Sequence, residues 1–290
     1  MQLRAALQAG LSRLDKHDVP SANLAAELLL MHVLQQDRSF LYTHAEQDFP
    51  AELFERYMEL IGERCTGKPT QYITGHQEFW GLDFEVTPAV LIPRPETEHI
   101  VEAVLDLISR EGLLKQQPFR IADAGTGSGC ISIALAKELP HAELYATDIS
   151  TDALEVAARN AERLGAAGQV KFLESDLLSC LLGPEFLGTF DFVISNPPYV
   201  GHDELADVQR EVRMFEPRLA WGDLARGEEI YARLFPQAHQ LLKADGSVVV
   251  EIGYNKKDAV LRLLAQGWQQ QEVRPDLAAI PRVITARKTG

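Results

Sequence analysis

The sequence predicts an α/β chain: a doubly wound, mostly parallel sheet with an antiparallel C-terminal edge, preceded by a small helical bundle and a β-hairpin. Three observations carry that expectation. Residues 1–75 space Leu, Met, Phe and Tyr at three and four, strand-like and helix-like patterns alternate after Pro95, and the first of those strands runs into a glycine-rich turn, Asp123–Gly129. A length of 290 residues suits one large domain and one smaller one, and 46% hydrophobic with 24% charged residues describes a chain able to bury a substantial core. The segmentation expected is a helical domain over 1–75, a hairpin linker over 76–92 and the α/β domain over 93–290.

Taken in order, "AALQAGLSRL", "SANLAAELLLMHVL", "SFLYTH" and "PAELFERYMELIGERC" are amphipathic stretches separated by Ser, Pro and Asp, which makes them helices of a bundle. "QEFWGLDFEVTP" alternates about Gly81 and reads as a hairpin. Helices are then expected at 96–111, 129–138, 150–164, 227–242 and 255–266, with strands at 119–124, 143–148, 169–174, 190–195 and 246–252. The end, "WQQQEVRPDLAAIPRVITAR", offers two more strands, suited to an antiparallel edge.

Composition excludes several function classes. A formal charge of −14, divided as −3 over residues 1–75 and −11 over the remainder, leaves no basic arm for tight, non-specific binding to a phosphate backbone. No apolar run reaches the ~18 residues needed to span a bilayer, and no signal peptide is visible, so a cytoplasmic protein without membrane attachment is expected. Cys65, Cys130 and Cys180 are odd in number and far apart, and no Cys or His pair has zinc-ligand spacing, so neither disulfide nor metal is expected. The eight histidines are scattered and lack a nucleophile partner. "GERCTGKP" imitates a phosphate-binding loop, but Pro69 stands where Ser or Thr is required and a helix precedes it.

Doubly wound sheets bind ligands beyond the carboxyl ends of their strands. After the first strand, Gly125, Thr126, Gly127, Ser128 and Gly129 form a turn whose backbone can approach a ligand closely, directly before a helix N-terminus. The alternative is a plain glycine-rich βα turn. The spacing is not the Gly-x-Gly-x-x-Gly of nicotinamide binders. The second strand ends in Asp148, ~20 residues beyond the turn, where an acid can hold both ribose hydroxyls. An S-adenosylmethionine site fits better than a dinucleotide site. The third strand is followed by Asp176 and Leu177, placed to accept from an adenine amino group and to pack on its ring, although a turn or N-cap role is open to Asp176.

The fourth strand runs into "SNPPY". An amide nitrogen is a poor nucleophile because its lone pair is delocalised into the carbonyl. Two acceptors, the Asn196 side-chain oxygen and the Pro197 carbonyl, can hold both of its hydrogens and aim the lone pair at a methyl group. Pro197 and Pro198 stiffen the loop and donate no competing N–H. Tyr199 can lay its ring against a planar substrate amide and near a sulfonium charge. Asn196, Pro197 and Tyr199 are therefore the catalytic candidates, with Pro198 they are the candidate substrate contacts, and Asn196, beside the methyl group, is also a candidate cofactor contact. Adenine also offers a planar, conjugated amino group, so an adenine-N6 methyltransferase remains an alternative, as does a catalytically silent scaffold.

The stretches "PTQYITGHQEFWGLDFEVTPAVLIPRPETE", "DAGTGSG", "ATDIS", "FDFVISNPPYV", "EVRMFEPRLA" and "LLKADGSVVVEIGY" resemble the bacterial protein-(glutamine-N5) methyltransferases of peptide-chain release factors, the PrmC or HemK family. "NPPY" alone is shared with other amino-group methyltransferases; the first and fifth stretches are more specific. The resemblance implies a Rossmann-like class I methyltransferase fold, S-adenosylmethionine as cofactor, and the glutamine of a release factor's Gly-Gly-Gln motif as substrate. It also implies an N-terminal bundle that docks the release factor; a monomer is expected, and a ribosomal-protein glutamine is a related possible substrate. Two loops depart from the family: "WGDLARGEEIY", with Gly222 and Gly227 separated, and "DLAAIPRV", with Ala279 where the family has glycine. In "IPRPETE", Pro95 and the acids after it suit a helix start, and Arg94 is expected to orient neighbouring carboxylates. Phe79 and Trp80 are candidates for a substrate entrance or for hairpin core.

Overall fold

A computed structural model describes residues 1–110, 112, 118–224 and 226–289. The chain divides into two compact units, one of residues 1–76 with 209–215 and the other of the remainder. The last residue of the helix expected over 96–111, and Ala225 of the altered loop, lie outside the described residues.

The first unit contains α1 (Leu3–Asp15), α2 (Ala22–Leu34), α3 (Arg38–Thr43), α4 (Ala51–Cys65) and α5 (Thr70–Thr74). Their apolar stripes meet in a core of Leu14, Leu29, Leu30, Tyr57, Leu60 and Ile61. Gly10 lets α1 approach α4: a Cβ there would stand 2.1 Å from the Tyr57 hydroxyl, which itself donates to the Ala26 carbonyl at 3.2 Å. The short helix α9 (Arg210–Phe215) also belongs to this unit, although its sequence lies far along the chain. Buried Arg64 pairs there with Glu211 at 2.5 Å.

The second unit opens with the hairpin β1 (His76–Phe79) and β2 (Leu82–Glu85). Phe79 and Phe84 are buried edge to face, and Trp80, at the turn, donates its indole N–H to Glu138 at 2.8 Å. Phe79 is therefore hairpin core, while Trp80 packs against that core and stays partly exposed. A 3₁₀ turn, Pro95–Thr97, leads into α6 (Glu98–Arg110).

Beyond it come β3 (Arg120–Ala124), α7 (Cys130–Glu138), β4 (Glu143–Asp148), α8 (Thr151–Arg163), β5 (Val170–Glu174) and β6 (Phe190–Ser195). The short strands β7 (Val200–Gly201) and β8 (Gly222–Leu224) follow on either side of α9 and α10 (Arg218–Trp221). The chain ends with α11 (Glu229–Leu241), β9 (Leu242–Glu251), α12 (Lys257–Leu263), β10 (Trp268–Pro275) and β11 (Pro281–Lys288). The seven-stranded sheet has the order β10-β11-β9-β6-β3-β4-β5, with β9, β6, β3, β4 and β5 mutually parallel. β11 and β10 add an antiparallel edge, as the two C-terminal apolar runs predict.

Side chains alternate across this sheet, so each face has its own core. Ile121, Phe192, Ile194 and Val249 pack under one layer, and Ala122, Val193, Val248 and Val250 under the other. β9 begins four residues before the expected strand because α11 ends at Leu241 and passes into it without a loop. The helix expected over 255–266 is shorter, and Gly267, at φ +80°, follows it. Ala279 adopts φ +60° between β10 and β11, the left-handed conformation that glycine supplies at lower cost. The first crossovers run β3 to β4 to β5, and the chain then returns to place β6 on the other side of β3. That reversal puts the turns after β3 and β6 side by side, where a doubly wound sheet holds its ligand.

Candidate active site

A cavity of about 380 Å³ opens at this reversal, between the ends of β3, β4, β5 and β6. The structure brings Gly125, Thr126, Gly127, Ser128, Asp148, Asp176, Leu177, Asn196 and Pro198 onto its lining; Gly129, Pro197 and Tyr199 do not line it. A wider groove of about 490 Å³, beside Arg110, Gln270 and Arg287, contains none of these strand-end residues.

The glycine turn is shaped by its own chain. Gly125 and Gly127 have φ of +74° and +56°, and a Cβ on either would meet nothing within 4 Å, so both present bare backbone to open space. Gly129 is different: a Cβ there would approach Ile133 and Ala157 at 3.0 and 3.2 Å, so this glycine allows α7 and α8 to pack closely. Asn160, buried on α8, donates to the carbonyls of Ser128 and Glu85, both at 3.0 Å, and thereby fixes the turn to the hairpin.

Beneath the turn, buried Asp123 accepts from the Thr126 and Ser132 hydroxyls at 2.7 Å through one oxygen. Its other oxygen has no hydrogen-bond partner among the described residues. Burial pushes the Asp123 carboxyl up to about 6.

Asp148 ends β4 and accepts from the Gly127 amide at 2.9 Å and the Ser150 amide at 3.0 Å. Burial raises its pKa, while these backbone donors oppose the rise. Each oxygen keeps a second lone pair for a ligand hydroxyl. Asp176 is more exposed and is paired with Arg233 of α11. Leu177 stands beside it at φ +51°. Bare backbone at two glycines, a carboxylate held by amides and an apolar side chain fit an adenosyl group with a charged amino-acid tail, the chemistry of S-adenosylmethionine.

Residues of two further stretches line the cavity, Ala89, Val90, Leu91 and Pro93 from one and Pro217, Leu219, Ala220 and Gly222 from the other. Buried Glu216 joins them, accepting from the Ile92 amide at 3.2 Å and pairing with Arg94 at 2.6 Å. The carboxylate that Arg94 orients is thus Glu216. The Trp221 indole donates to the Glu216 carbonyl at 3.3 Å.

Asn196 follows β6 and donates its side-chain N–H to the Thr97 hydroxyl at 3.0 Å. Thr97 donates in turn to buried Glu251, the last residue of β9, at 2.6 Å. Tyr199 donates to the other Glu251 oxygen at 3.3 Å, and burial raises its phenol pKa. Its ring lies against Gly253. Two glycines of the altered loop serve this stretch: a Cβ on Gly222 would stand 2.4 Å from the Val200 carbonyl oxygen, and one on Gly227 2.0 Å from that of Tyr199.

Arg233 on the cavity lining, and Thr97, Glu216 and Glu251 bonded behind it, are candidate site residues that sequence reasoning missed. The available signals were a threonine inside "IPRPETE" and an acid ending the apolar run "SVVVE". Among the described residues, no group of His, Cys, Asp or Glu is arranged to hold a metal, and no helix is long and apolar enough to cross a membrane.

Residues 5–75 match the family described as the PrmC N-terminal domain, and residues 107–217 the methyltransferase small domain. Among solved structures, the N-terminal domain of human METTL16 in complex with SAH has the same fold. It aligns with a TM-score of 0.53 at 19% identity, covering 88% of this chain and 89% of that one. A release factor glutamine methyltransferase of Koribacter versatilis is 49% identical over 99% of both chains. One from Moorella thermoacetica is 41% identical over 99% of this chain and 98% of its own. With identity this high over nearly the whole of both chains, the chain belongs to the release factor glutamine methyltransferase family.

Proposed function

We infer that this chain transfers a methyl group from S-adenosylmethionine to the side-chain amide nitrogen of a glutamine in a peptide-chain release factor, at the Gly-Gly-Gln motif. The observation that carries the reading is Asn196 on the wall of the cavity that Asp148 and the glycine turn also line. When bound, the cofactor supplies an electrophilic methyl group on a sulfonium centre. The turn Gly125–Ser128 and Asp148 would hold it, and Leu177 and Asp176 would meet its adenine.

In the proposed mechanism, the Asn196 side-chain oxygen and the Pro197 carbonyl accept the two N–H hydrogens of the substrate amide. That places the nitrogen lone pair toward the methyl group and supplies by position what the amide lacks in nucleophilicity. The two prolines add no donors to compete for those acceptors. After transfer, the nitrogen gives one proton to water, so no strong base is needed. Tyr199 enters through its hydroxyl bond to Glu251, a supporting role. The helical N-terminal residues, 1–75, are proposed to dock the body of the release factor, since a glutamine alone offers too few contacts to position its nitrogen.

The test is mass spectrometry of a release factor co-expressed with this chain. A single added methyl on the Gly-Gly-Gln glutamine, lost when Asn196 is replaced by Ala, is the expected result. An unmodified release factor beside methylated adenine in nucleic acid would overturn the reading.

A further inference from the structure

Asn196 carries a donor and an acceptor on one flat amide, and turning it by 180° exchanges them. If its oxygen is to accept from the substrate, something must forbid the turned form. The chain of hydrogen bonds behind it does so. Glu251 is 2% exposed, and its ionised carboxylate can only accept. Thr97 has one hydroxyl proton, and it is committed to Glu251 at 2.6 Å. The Thr97 oxygen can then only accept from Asn196, so the amide must present its NH₂ group to Thr97, at 3.0 Å, and keep its oxygen for the cavity side.

We propose that Thr97 and Glu251 are positioning residues that fix the orientation of the Asn196 amide, so that the site offers an acceptor and selects a substrate bearing N–H. This rests on the proposed role of Asn196. A protonated Glu251 can donate to the Thr97 oxygen, which frees the Thr97 proton to point at Asn196. The amide is then equally satisfied when turned, and its NH₂ group faces the substrate's own donors.

The groups around Glu251 set where this happens. Burial is the largest influence and pushes the carboxyl up to about 7. The Thr97 and Tyr199 hydroxyls and the charge of Arg282 on β11 favour the ionised form, and Glu96 opposes it. From α11, the Tyr231 hydroxyl donates to the Glu251 backbone carbonyl at 2.7 Å, and the Cys130 thiol of α7 also lies within electrostatic range. The carboxylate is required, so turnover is retained above about pH 7 and lost below it.

The experiment measures kcat on intact release factor from pH 6 to 9, with cofactor affinity by calorimetry, for the full-length wild type, Thr97→Ser, Thr97→Val and Glu251→Gln. Wild-type kcat is expected to fall about tenfold per unit below about pH 7. Thr97→Ser keeps the hydroxyl and should keep both rate and profile. Thr97→Val should lose at least about tenfold in kcat at every pH, and Glu251→Gln should lose as much at pH 8 together with the acid limb. Cofactor Kd should stay within about threefold throughout.

A wild type without an acid limb near neutrality overturns the proposal, whether or not the variants fold. So does a folded Glu251→Gln that keeps the limb, or a Thr97→Val with wild-type kcat. Asn196→Ala separates the two levels of inference. If it retains turnover, the role of Asn196 itself falls; if it is inactive while Thr97→Val turns over normally, only the orienting role falls.

Discussion

The two ends of the cavity are built by different rules. At the proposed cofactor end, Asp148 and the glycine turn lie within one β-α-β stretch, and the carboxylate is held by amides 21 residues before it and two after it. At the proposed reacting end, Asn196 is held by a threonine 99 residues away, which is held by a glutamate 154 residues from itself. One end depends on backbone in a local turn, and the other on side chains brought together only by the sheet. A substitution at the cofactor end should act on binding; one at the reacting end should act on rate.

The largest expected effect tests the second half of that contrast. Asn196→Ala should cut kcat by two orders of magnitude or more while leaving cofactor affinity largely intact, because it removes one preorganised acceptor for the substrate amide. Single-turnover kinetics beside calorimetry measures both. A large loss of cofactor affinity would erase the distinction between the ends. Asp148→Ala is the converse: cofactor binding should weaken by about 1.5–3 kcal/mol, the scale for charge-assisted hydrogen bonds, with kcat at saturating cofactor changed less. Calorimetric titration decides it, and an unchanged Kd removes Asp148 from the site.

The same contrast explains what the sequence disclosed. Alternating strand and helix patterns, with glycines at 125, 127 and 129, suffice to locate β3, β4, β6 and the turns after them, because each signal lies within a short stretch of chain. The place of Asp148 on the cavity lining is legible for that reason. Glu251 is not, because an acid ending an apolar strand is as compatible with solvent as with a buried network until its partner is known. The partner of Tyr199 is hidden in the same way: its neighbours in sequence suggest a ring against substrate but not the bond from its hydroxyl to a carboxylate of β9. The helix Arg210–Phe215 joins the first unit through Glu211 and Arg64, a pairing that no periodicity announces.

Stability sharpens the comparison further. Glu251 has its folded pKa raised from 4.5 to about 7, so its contribution to stability is complete below about pH 4.5 and is lost as pH rises through about 7. Glu251→Gln removes that buried charge. It should therefore be more stable than wild type at pH 8, by about 1–2 kcal/mol, with the advantage shrinking toward pH 5. Thermal melts at the two pH values test this, and lower stability at pH 8 would mean that the carboxylate's hydrogen bonds outweigh its desolvation. A variant that gains stability and loses turnover is what a strained functional network produces.

The smallest effect belongs to the outer edge of the cofactor end. Asp176 lines the cavity as Asp148 does, but its side chain is 52% exposed and is paired with an equally exposed Arg233. An exposed ion pair contributes about 0–1 kcal/mol, and water competes for any hydrogen bond the carboxylate makes to a ligand. Asp176→Ala should therefore weaken cofactor binding by about 1 kcal/mol or less. Arg233→Ala should change it by no more, and added salt should reduce what difference remains, since exposed charges are screened. Calorimetry on both variants and on the double variant, at low and at high ionic strength, separates the carboxylate's own contact from its pairing with the arginine. If Asp176→Ala costs as much as Asp148→Ala, the governing quantity at this end is the contact to adenine and not the burial of the acid that makes it.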